Sequence, residues 1–406
     1  MALIDFKVLP GIDKQDTASG AEYRWIDCDN TRFRYGLPEK VGGWSSLITD
    51  TIVGVARREF AFVDLDGNRY VAIGTDKFLL IYFEGQLYDI TPLKTTLTSA
   101  TLATTDTSAI CSITTGTNHD LSVGDIVLLD TVTLPVGTGY VDADFENKLF
   151  QVTSITSATV FTITQSTAAT ATVGTGGSLS VKPYEQVGPA EQSYGYGWGI
   201  DTWSSGKWGE AASASDVSLE PGLWSLSNFG QVLVATIANG KTFTWNAGDA
   251  ARLTTRASTT TSGFETTNNP TATRVSLISP TTRHLIHLGT ETTIGDPTTQ
   301  DDMFIRFSDQ EDINDYVPTA INSAGSQRLQ DGTRIIGALK AKESILVWTD
   351  NALYTMKFIG APFTFGFEQV GTNCGLIGKN AAIEIDGMAF WMSSNGFFMF
   401  DGTVKS

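Results

Sequence analysis

Short apolar segments recur along most of the chain, separated by residues that favour tight turns, and this pattern predicts short strands joined by turns. Residues 58–74 read as an apolar strand, the turn Asp66-Gly67-Asn68 and a second apolar strand. Gly and Asn tolerate the positive φ angles of tight hairpin turns, so this segment predicts a β-hairpin. Turns at residues 75–77 and 84–86 bound two more strands. Residues 51–94 are therefore predicted to form a four-stranded meander.

The composition changes in residues 95–182, where Thr, Ser and Ala dominate and aromatic residues become rare. Apolar residues alternate with polar ones in two segments of this region, at Phe150 and Val152 and again at Phe161 and Ile163. This pattern predicts a small β-barrel of about five or six strands, inserted into a loop of the main fold.

A repeated unit links the segments on either side of this insert. Each copy is an apolar strand, a turn containing Asp or Asn, and a strand that ends on a large apolar residue. The turn residues are Asp76, Asn239, Asp350 and Asn395, and the apolar residues are Tyr82, Trp245, Met356 and Phe400. The last two turn residues lie 45 positions apart. A period of about 45 residues with four short strands is typical of a β-propeller blade.

The sequence thus predicts an all-β protein with a β-propeller-like main body and a small inserted β-barrel domain. We expect an irregular docking segment in residues 1–50, the first blade in 51–94, the barrel in 95–182 and the remaining blades in 183–406. About five or six blades fit this length, and a β-sandwich of similar hairpins is the alternative fold. We expect the last blade either to be closed by the N-terminal segment or to continue in sequence beyond residue 406.

The composition supports strands rather than long helices. Charged residues make up 17% of the chain, below the usual quarter, and the chain contains 40 glycines. Gly supplies tight turns, and the abundant β-branched Thr suits a pleated surface. The formal net charge is −17. A protein of this charge is not expected to grip nucleic-acid phosphates, and the chain contains no run of Lys and Arg.

The cysteines and the N-terminus indicate in which cellular compartment the protein is assembled. Cys28, Cys111 and Cys374 are far apart and form no CxxC pair, so neither a zinc site nor a disulfide framework is expected. Assembly in a reducing cytosol fits this pattern. No signal-peptide-like or membrane-spanning apolar stretch occurs. We therefore expect a soluble protein without membrane contact.

Few residues point to catalysis or metal binding. His284 and His287 lie three positions apart on a predicted strand, so their side chains should point to opposite faces and act as satisfied polar residues near a core. The third histidine, His119, has no partner of this kind. The acidic segment 308–316 fits no calcium-loop spacing, and we expect a polar loop between blades, with calcium binding as the open alternative.

The aromatic and Gly-rich segment 194–199 carries Tyr194, Tyr196 and Trp198. We expect close chain packing here, and stacking of these rings on sugars is the alternative. The chain contains no phosphate-binding loop, dinucleotide fingerprint or nucleophile elbow. We therefore expect a non-enzymatic protein and assign no catalytic residue, cofactor site or metal site. A propeller glycosidase would need two facing carboxylates, and no such pair stands out.

Several segments together resemble the tail-hub and nozzle proteins of tailed bacteriophages. Residues 21–44, which contain Arg24-Trp25-Ile26-Asp27 and end in Gly42-Gly43-Trp44, resemble the opening of that family. Further similar segments are residues 70–75, 87–92, 194–198, 307–312 and 329–338. The insert is similar to small barrels of phage tail proteins that carry the turn found here at residues 121–125.

The resemblance implies a mechanical role. Proteins of the tail tubular protein B or head-stabilisation type form a propeller-bearing ring, usually a hexamer, below the portal and adaptor proteins. The chain would then line part of the DNA exit channel, contact tail fibres or spikes, and reside in the virion tail after assembly in the host cytoplasm. An acidic lumen would let DNA pass without specific binding. A carbohydrate-binding tail protein that recognises a host receptor is the alternative function.

Overall fold

The computed structural model describes residues 8–46, 48, 50–191, 220–261, 264–342 and 344–406. The chain divides into two compact units, Met1–Thr51 and Ile52–Ser406. The first unit holds two small sheets: Leu9–Ile12 (β1) pairs in parallel with Arg24–Trp25 (β2), and Thr31–Arg34 (β3) pairs antiparallel with Leu37–Lys40 (β4).

The second unit begins with a four-stranded antiparallel meander, which we name blade 1. Its strands are Ala56–Val63 (β5), Arg69–Thr75 (β6), Leu79–Phe83 (β7) and Gln86–Asp89 (β8). The predicted hairpin turn is present, and Gly67 adopts a φ of 88°. Asp64 organises this turn, because its carboxylate accepts hydrogen bonds from the backbone N–H groups of Asp66 at 2.9 Å and Asn68 at 2.8 Å.

A closed six-stranded barrel follows, as the alternating pattern predicted. Its strands are Leu97–Thr104 (β9), Ile110–Thr114 (β10), Ile126–Thr133 (β11), Lys148–Ser157 (β12), Val160–Thr164 (β13) and Val173–Pro183 (β14), in the order β10-β13-β12-β11-β14-β9. A 3-10 helix, Asp142–Asp144, precedes β12. The inward-facing alternate residues, such as Val127, Leu129, Phe161 and Ile163, are fully buried and fill the barrel.

Four further antiparallel sheets of three or four strands lie in the described residues after the barrel, and we name them blades 2 to 5. Blade 2 comprises Trp224–Phe229 (β15), Val232–Ile237 (β16) and Thr242–Asn246 (β17), and is followed by the hairpin Thr260–Thr261 (β18) and Phe264–Glu265 (β19). Blade 3 comprises Thr273–Ile278 (β20), Leu285–Thr290 (β21), Phe304–Phe307 (β22) and Gly325–Arg328 (β23). Blade 4 comprises Ile335–Lys340 (β24), Ile345–Thr349 (β25), Leu353–Gly360 (β26) and Thr364–Gly371 (β27). Blade 5 comprises Ala382–Ile385 (β28), Met388–Ser393 (β29), Gly396–Phe400 (β30) and Val404–Lys405 (β31).

The blades have a five-bladed propeller-like arrangement, which confirms the predicted all-β fold class. The first strand of each blade is an edge strand of its sheet, and these strands contact one another in the series β5, β15, β20, β24, β28. Asn380, just before β28, connects blade 5 back to blade 1. Its side chain accepts a hydrogen bond from Arg58 Nη1 at 3.4 Å and donates one to the Arg57 carbonyl at 3.2 Å.

Large side chains fill the spaces between neighbouring blades. Trp224 of β15 packs on blade 1, where its indole N–H donates to the Thr75 carbonyl at 3.0 Å. A Cβ atom on Gly74 would lie 2.6 Å from Trp224 Cδ1, so this close approach requires glycine. Blades 3 and 4 share one apolar core, and blades 4 and 5 share another around Trp348 and Trp391.

The space between blades 2 and 3 is partly polar. The hydroxyl of Ser276 in β20 donates to Thr236 Oγ1 at 2.7 Å, and the backbone N–H of Ser276 donates to Ser225 Oγ at 3.2 Å. Thr236 in turn lies 2.8 Å from Thr242 Oγ1. These hydroxyl groups are buried and satisfy one another, while Phe229 and Ile278 belong to a smaller apolar cluster nearby.

The predicted role of the N-terminal segment in the last blade is wrong for the described residues. All four strands of blade 5 come from residues 382–405, and β1 to β4 pair only among themselves. The described helices are short 3-10 turns, and none of them is long and apolar enough to cross a membrane.

The chain enters the barrel after blade 1, and the two ends of the barrel segment lie side by side. Leu93 and Tyr184 form a β-bridge, and the backbone N–H of Lys94 donates to the Pro183 carbonyl at 2.8 Å. A hydrogen-bonded clasp of Asp89, Tyr184 and Arg256 strengthens this junction. Tyr184 donates to Asp89 Oδ2 at 2.6 Å, and Arg256 donates to Asp89 Oδ2 at 3.0 Å and to the Tyr184 oxygen at 2.6 Å.

The guanidinium of Arg256 also stacks on the Tyr184 ring, 4.8 Å from its centroid, and donates to the Thr91 carbonyl at 3.0 Å. Burial, followed by the Asp89 carboxylate, raises the pKa of the Tyr184 hydroxyl, so this group stays protonated and acts as a donor at neutral pH. The clasp therefore joins blade 1, the end of the barrel and the segment that follows blade 2.

The clasp generates a stability prediction. Replacement of Arg256 by Met should lower the free energy of unfolding by about 2 kcal/mol, because it leaves a partly buried Asp89 carboxylate without its cation. Urea unfolding followed by tryptophan fluorescence measures this change. Arg32→Met is the matched control, since both Arg32 and its ion-pair partner Glu39 are exposed and their contact should contribute little. Equal unfolding midpoints for the two variants would contradict the proposed importance of the clasp.

Candidate functional site

A cavity of about 260 Å³ lies where the first strands of blades 2, 3 and 4 approach one another. We name it the axial pocket. Its polar wall consists of Glu220, Asn239, Arg274, Arg334 and Lys379. Each residue comes from a different segment. Three of them precede first strands: Glu220 before β15, Arg334 before β24 and Lys379 before β28. Asn239 follows β16, and Arg274 lies in β20. The propeller arrangement therefore assembles this pocket from residues that are far apart in sequence.

Arg274 and Arg334 hold the carboxylate of Glu220. Arg274 Nη2 lies 2.8 Å from both carboxylate oxygens, and Arg334 Nη1 lies 2.6 Å from Oε1. The remaining donors of Arg274 bind the Ile335 carbonyl at 3.1 Å and Asp302 Oδ2 at 3.3 Å. These contacts fix the guanidinium of Arg274 in place, and that group is largely buried.

Lys379 adds a second cationic group to the pocket. Its ammonium donates to Ser225 Oγ at 2.9 Å, so the loop before blade 5 reaches across to blade 2. Burial, together with the positive charges of Arg58 and Arg274, lowers the pKa of Lys379 to about 7, while Glu220 opposes this shift. Burial also lowers the pKa of Lys340, which lies close to Arg58.

Positive groups thus outnumber negative ones around the axial pocket, in a chain whose net charge is −17. Guanidinium groups present planar pairs of donors that match carboxylate and phosphate oxygens, and a half-buried ammonium adds a point charge. The arrangement is therefore suited to bind an oxyanion. The sequence shows no basic patch, because Arg58, Arg274, Arg334 and Lys379 span more than three quarters of the chain.

The outer face of blade 5 is a second unusual surface. One face of this sheet packs on blade 4 through Trp391 and Phe398. The opposite face is apolar and solvent-exposed, and we name it the free face. Its residues are Ile383, Ile385, Met388, Phe390, Met392 and Phe397. Phe397 is 75% exposed and Ile383 is 56% exposed.

Blade 1 is also only partly covered on the side that faces away from blade 2. The side chains on that face include Val63, Val71, Ile73 and Tyr82. Val63 is exposed, Val71 and Tyr82 are half-buried, and Ile73 is buried. Blades 1 and 5 are the two ends of the series of blades, so each end presents a sheet face that no other described blade covers.

The three histidines do not gather into a site. His284 and His287 are both fully buried. His284 lies between Thr282 Oγ1 at 2.7 Å and Ser323 Oγ at 2.9 Å, whereas His287 Nε2 lies 2.9 Å from the Tyr316 hydroxyl. His287 Nδ1 has no hydrogen-bond partner within the described part of the chain, so the expectation that both rings are satisfied is wrong for this atom.

His119 belongs to the barrel, where its Nε2 lies 3.0 Å from the Ser157 carbonyl and its ring packs on Phe161. Among the described residues, no group of three or more His, Cys, Asp or Glu side chains is placed to hold a metal ion. Cys28, Cys111 and Cys374 are free thiols.

The acidic segment is a loop within blade 3, between β22 and β23, and the predicted position between blades is wrong. Its carboxylates bind nearby backbone, as expected for Asp-rich turns. Asp309 Oδ1 accepts from the N–H groups of Gln310 and Ser323, both at 2.8 Å, and Asp312 Oδ1 accepts from Asn314 at 2.9 Å. The local sequence signal for a turn was correct, but it could not distinguish a connection inside a blade from one between blades.

The aromatic segment with Tyr194, Tyr196 and Trp198 lies outside the described residues. Its predicted close packing and the alternative of sugar stacking both remain predictions.

Comparisons with known proteins place the chain at a distance from characterised relatives. No family model and no curated protein sequence matches it. Among solved structures, it is similar to the phage phi92 endosialidase, with 13% identity over 80% of this chain and a TM-score of 0.26. The chain spans half of the length of that endosialidase. It is also similar to the computationally designed Ika8 protein, with 9% identity, coverage of 87% of this chain and 88% of that chain, and a TM-score of 0.27.

The buried His287 generates a prediction about pH. Burial, together with the nearby Arg306 charge, lowers the pKa of His287 from 6.5 to about 3. Below pH 6.5 the unfolded chain therefore takes up a proton that the folded protein does not, so the free energy of unfolding falls as the pH falls. The expected loss is about 1.4 kcal/mol per pH unit between pH 6.5 and about 3.

This loss is measured as the difference between the protein and the variant His287→Gln in urea unfolding at several pH values from 7.5 to 5. The variant should show a shallower dependence on pH, whatever its stability at pH 7.5. Parallel curves for the two proteins would mean that His287 does not carry the effect.

Proposed function

We propose that the protein is a structural subunit of a bacteriophage tail, and that it forms a hub or nozzle ring below the portal and adaptor proteins. The observation that carries this proposal is the free face of blade 5, because a folded chain that exposes a continuous apolar sheet face is suited to contact another subunit. The similarity of residues 21–44 and 329–338 to tail-hub proteins supports the same class.

The size of the free face supports assembly. Its six apolar side chains are each at least 36% exposed and lie side by side on one sheet face, whereas exposed apolar residues on ordinary monomers are mostly scattered. A specific interface buries about 800 Å² on each partner, so the free face would form the apolar core of a larger contact. Sheet faces pack on other sheet faces at about 10 Å, and a neighbouring subunit could therefore cover the free face with a sheet of its own.

The connection between the barrel and the propeller also suits a mechanical role. The clasp of Asp89, Tyr184 and Arg256 and the adjacent β-bridge hold the barrel at a fixed position beside blade 1. In the proposed ring, the barrel faces outward and contacts fibres or spikes. The net charge of −17 would allow DNA to pass through the ring with little adhesion, since few counterions would be released on contact.

In this proposal the protein is non-enzymatic, the ring is a hexamer, and the subunit resides in the virion tail after assembly in the host cytoplasm. The alternative function, recognition of a carbohydrate receptor, depends on Tyr194, Tyr196 and Trp198, which lie outside the described residues.

The free face generates a prediction about assembly. Phe397→Glu should shift the protein from oligomer to monomer, because a carboxylate on this face cannot be buried against a neighbouring subunit without a partner charge. Light scattering coupled to size-exclusion chromatography measures the mass of each species. Ile321→Glu is the matched control, since Ile321 is 98% exposed in a loop of blade 3 and should leave the oligomer intact.

Two outcomes would contradict the proposal at different levels. If the unaltered protein is monomeric at all concentrations, or if both variants dissociate equally, the free face is not an assembly surface. If electron microscopy of the phage particles places the chain outside the tail, the tail-hub assignment fails even if the free face mediates assembly.

A further inference from the structure

The axial pocket has no role in the proposed assembly, and its chemistry calls for a separate explanation. Three cationic side chains, Arg274, Arg334 and Lys379, converge on a cavity of about 260 Å³. Two carboxylates accompany them: Glu220 lines the cavity, and Asp302 contacts Arg274 from outside it at 3.3 Å. The cationic groups exceed the carboxylates by one, and Lys379 has the neutral Ser225 hydroxyl as its hydrogen-bond partner. Such an excess is costly in a fold, because like charges repel and their desolvation adds to the cost. An anion that enters the cavity would relieve this repulsion.

Glu220 shows how a carboxylate fits the site. Arg274 Nη2 contacts both of its oxygens at 2.8 Å, and Arg334 contacts Oε1 at 2.6 Å. Charge-assisted bonds of this length are the strong ones that arginine forms with carboxylates. The Glu220 side chain is about one third exposed, so it can turn toward solvent when another carboxylate takes its place.

Lys379 provides a cationic group that Glu220 does not hold by a direct hydrogen bond. In the described part of the chain, its ammonium donates to Ser225 Oγ at 2.9 Å. An ammonium has three donors, so capacity remains for an incoming anion. Lys379 faces Arg58 of β5, Arg274 of β20 and Glu220, and of these three groups only Glu220 is negative.

The remaining wall of the pocket is apolar, with Pro221, Leu223, Val275, Ile336 and Ile377 beside the charged groups. Inorganic phosphate has no apolar part that could use this wall, whereas an organic acid has a C–H-rich body attached to its carboxylate. Small-molecule sites typically combine such an apolar lining with a few charged or polar groups that fix orientation.

We propose that the axial pocket binds a small organic carboxylate through Arg274, Arg334 and Lys379, in competition with the carboxylate of Glu220. The site prefers ligands that combine one carboxylate with an apolar or C–H-rich body. This binding is independent of ring assembly, because the pocket and the free face of blade 5 share no residue.

Isothermal titration calorimetry on the full chain tests the proposal with three carboxylate probes: acetate, benzoate and glucuronate. Glucose is the uncharged control, and inorganic phosphate tests the anion class. We expect glucuronate or benzoate to bind more tightly than acetate, because each has a body that contacts the apolar wall. Glucose should not bind.

Three variants identify the site. Glu220→Gln removes the internal competitor and should tighten binding at least tenfold, a gain that misfolding cannot produce. Arg334→Gln and Lys379→Met should each weaken binding at least tenfold. Lys241→Met is the control, since Lys241 is a half-exposed lysine outside the pocket and should leave the affinity unchanged.

The dependence on pH provides an independent readout. The probe carboxylates stay ionised from pH 6 to 9, so a change in affinity reports a group of the protein. Because the pKa of Lys379 is lowered to about 7, affinity should decrease as the pH rises through that value. Lys379→Met should bind more weakly at pH 6 and show no such decrease.

Four results would overturn the proposal. The first is the absence of binding by all three carboxylates up to millimolar concentration, in both the unaltered protein and Glu220→Gln. The second is tighter binding of phosphate than of every carboxylate. The third is an affinity that Arg334→Gln and Lys379→Met change no more than Lys241→Met does. The fourth is weaker binding in Glu220→Gln.

Discussion

A small sheet with two apolar faces is stable only when both faces are covered, and this requirement shapes the second unit. Blade 4 shows the complete arrangement: Met356 faces the core shared with blade 3, and Trp348 faces the core shared with blade 5. Blades 2 and 3 meet the same requirement with a partly polar layer around Ser276. Blade 5 packs against another blade on one face alone among the described residues. Its second face therefore does not meet this requirement within the described part of the chain, and the proposed neighbouring subunit would cover it.

Much of the fold could be predicted because each blade repeats one local rule. Asp76, Asn239, Asp350 and Asn395 all follow the second strand of a blade, where a turn residue must reverse the chain. Blade 3 does not show this sequence pattern, and the reason is physical. Its second and third strands are joined by residues 291–303, a long connection that contains a 3-10 helix in place of a tight turn.

The axial pocket could not be predicted, because no local pattern relates Arg58 of blade 1 to Lys379 beside blade 5. Such proximity depends on how the blades close, as the Asn380 contacts illustrate. The free face, by contrast, has a recognisable pattern in the sequence. Residues 388–392 are apolar at every position. An uninterrupted apolar strand indicates burial on both faces, and therefore a second covering layer.

The position of the barrel has a consequence for tension along the chain. Its two ends lie side by side, joined by the Leu93–Tyr184 bridge and the bond between Lys94 and Pro183. When the chain is stretched, these backbone hydrogen bonds between the two ends of the insert carry the force, and the six strands of the barrel bear little load. The barrel therefore stays folded until the bonds at the junction break.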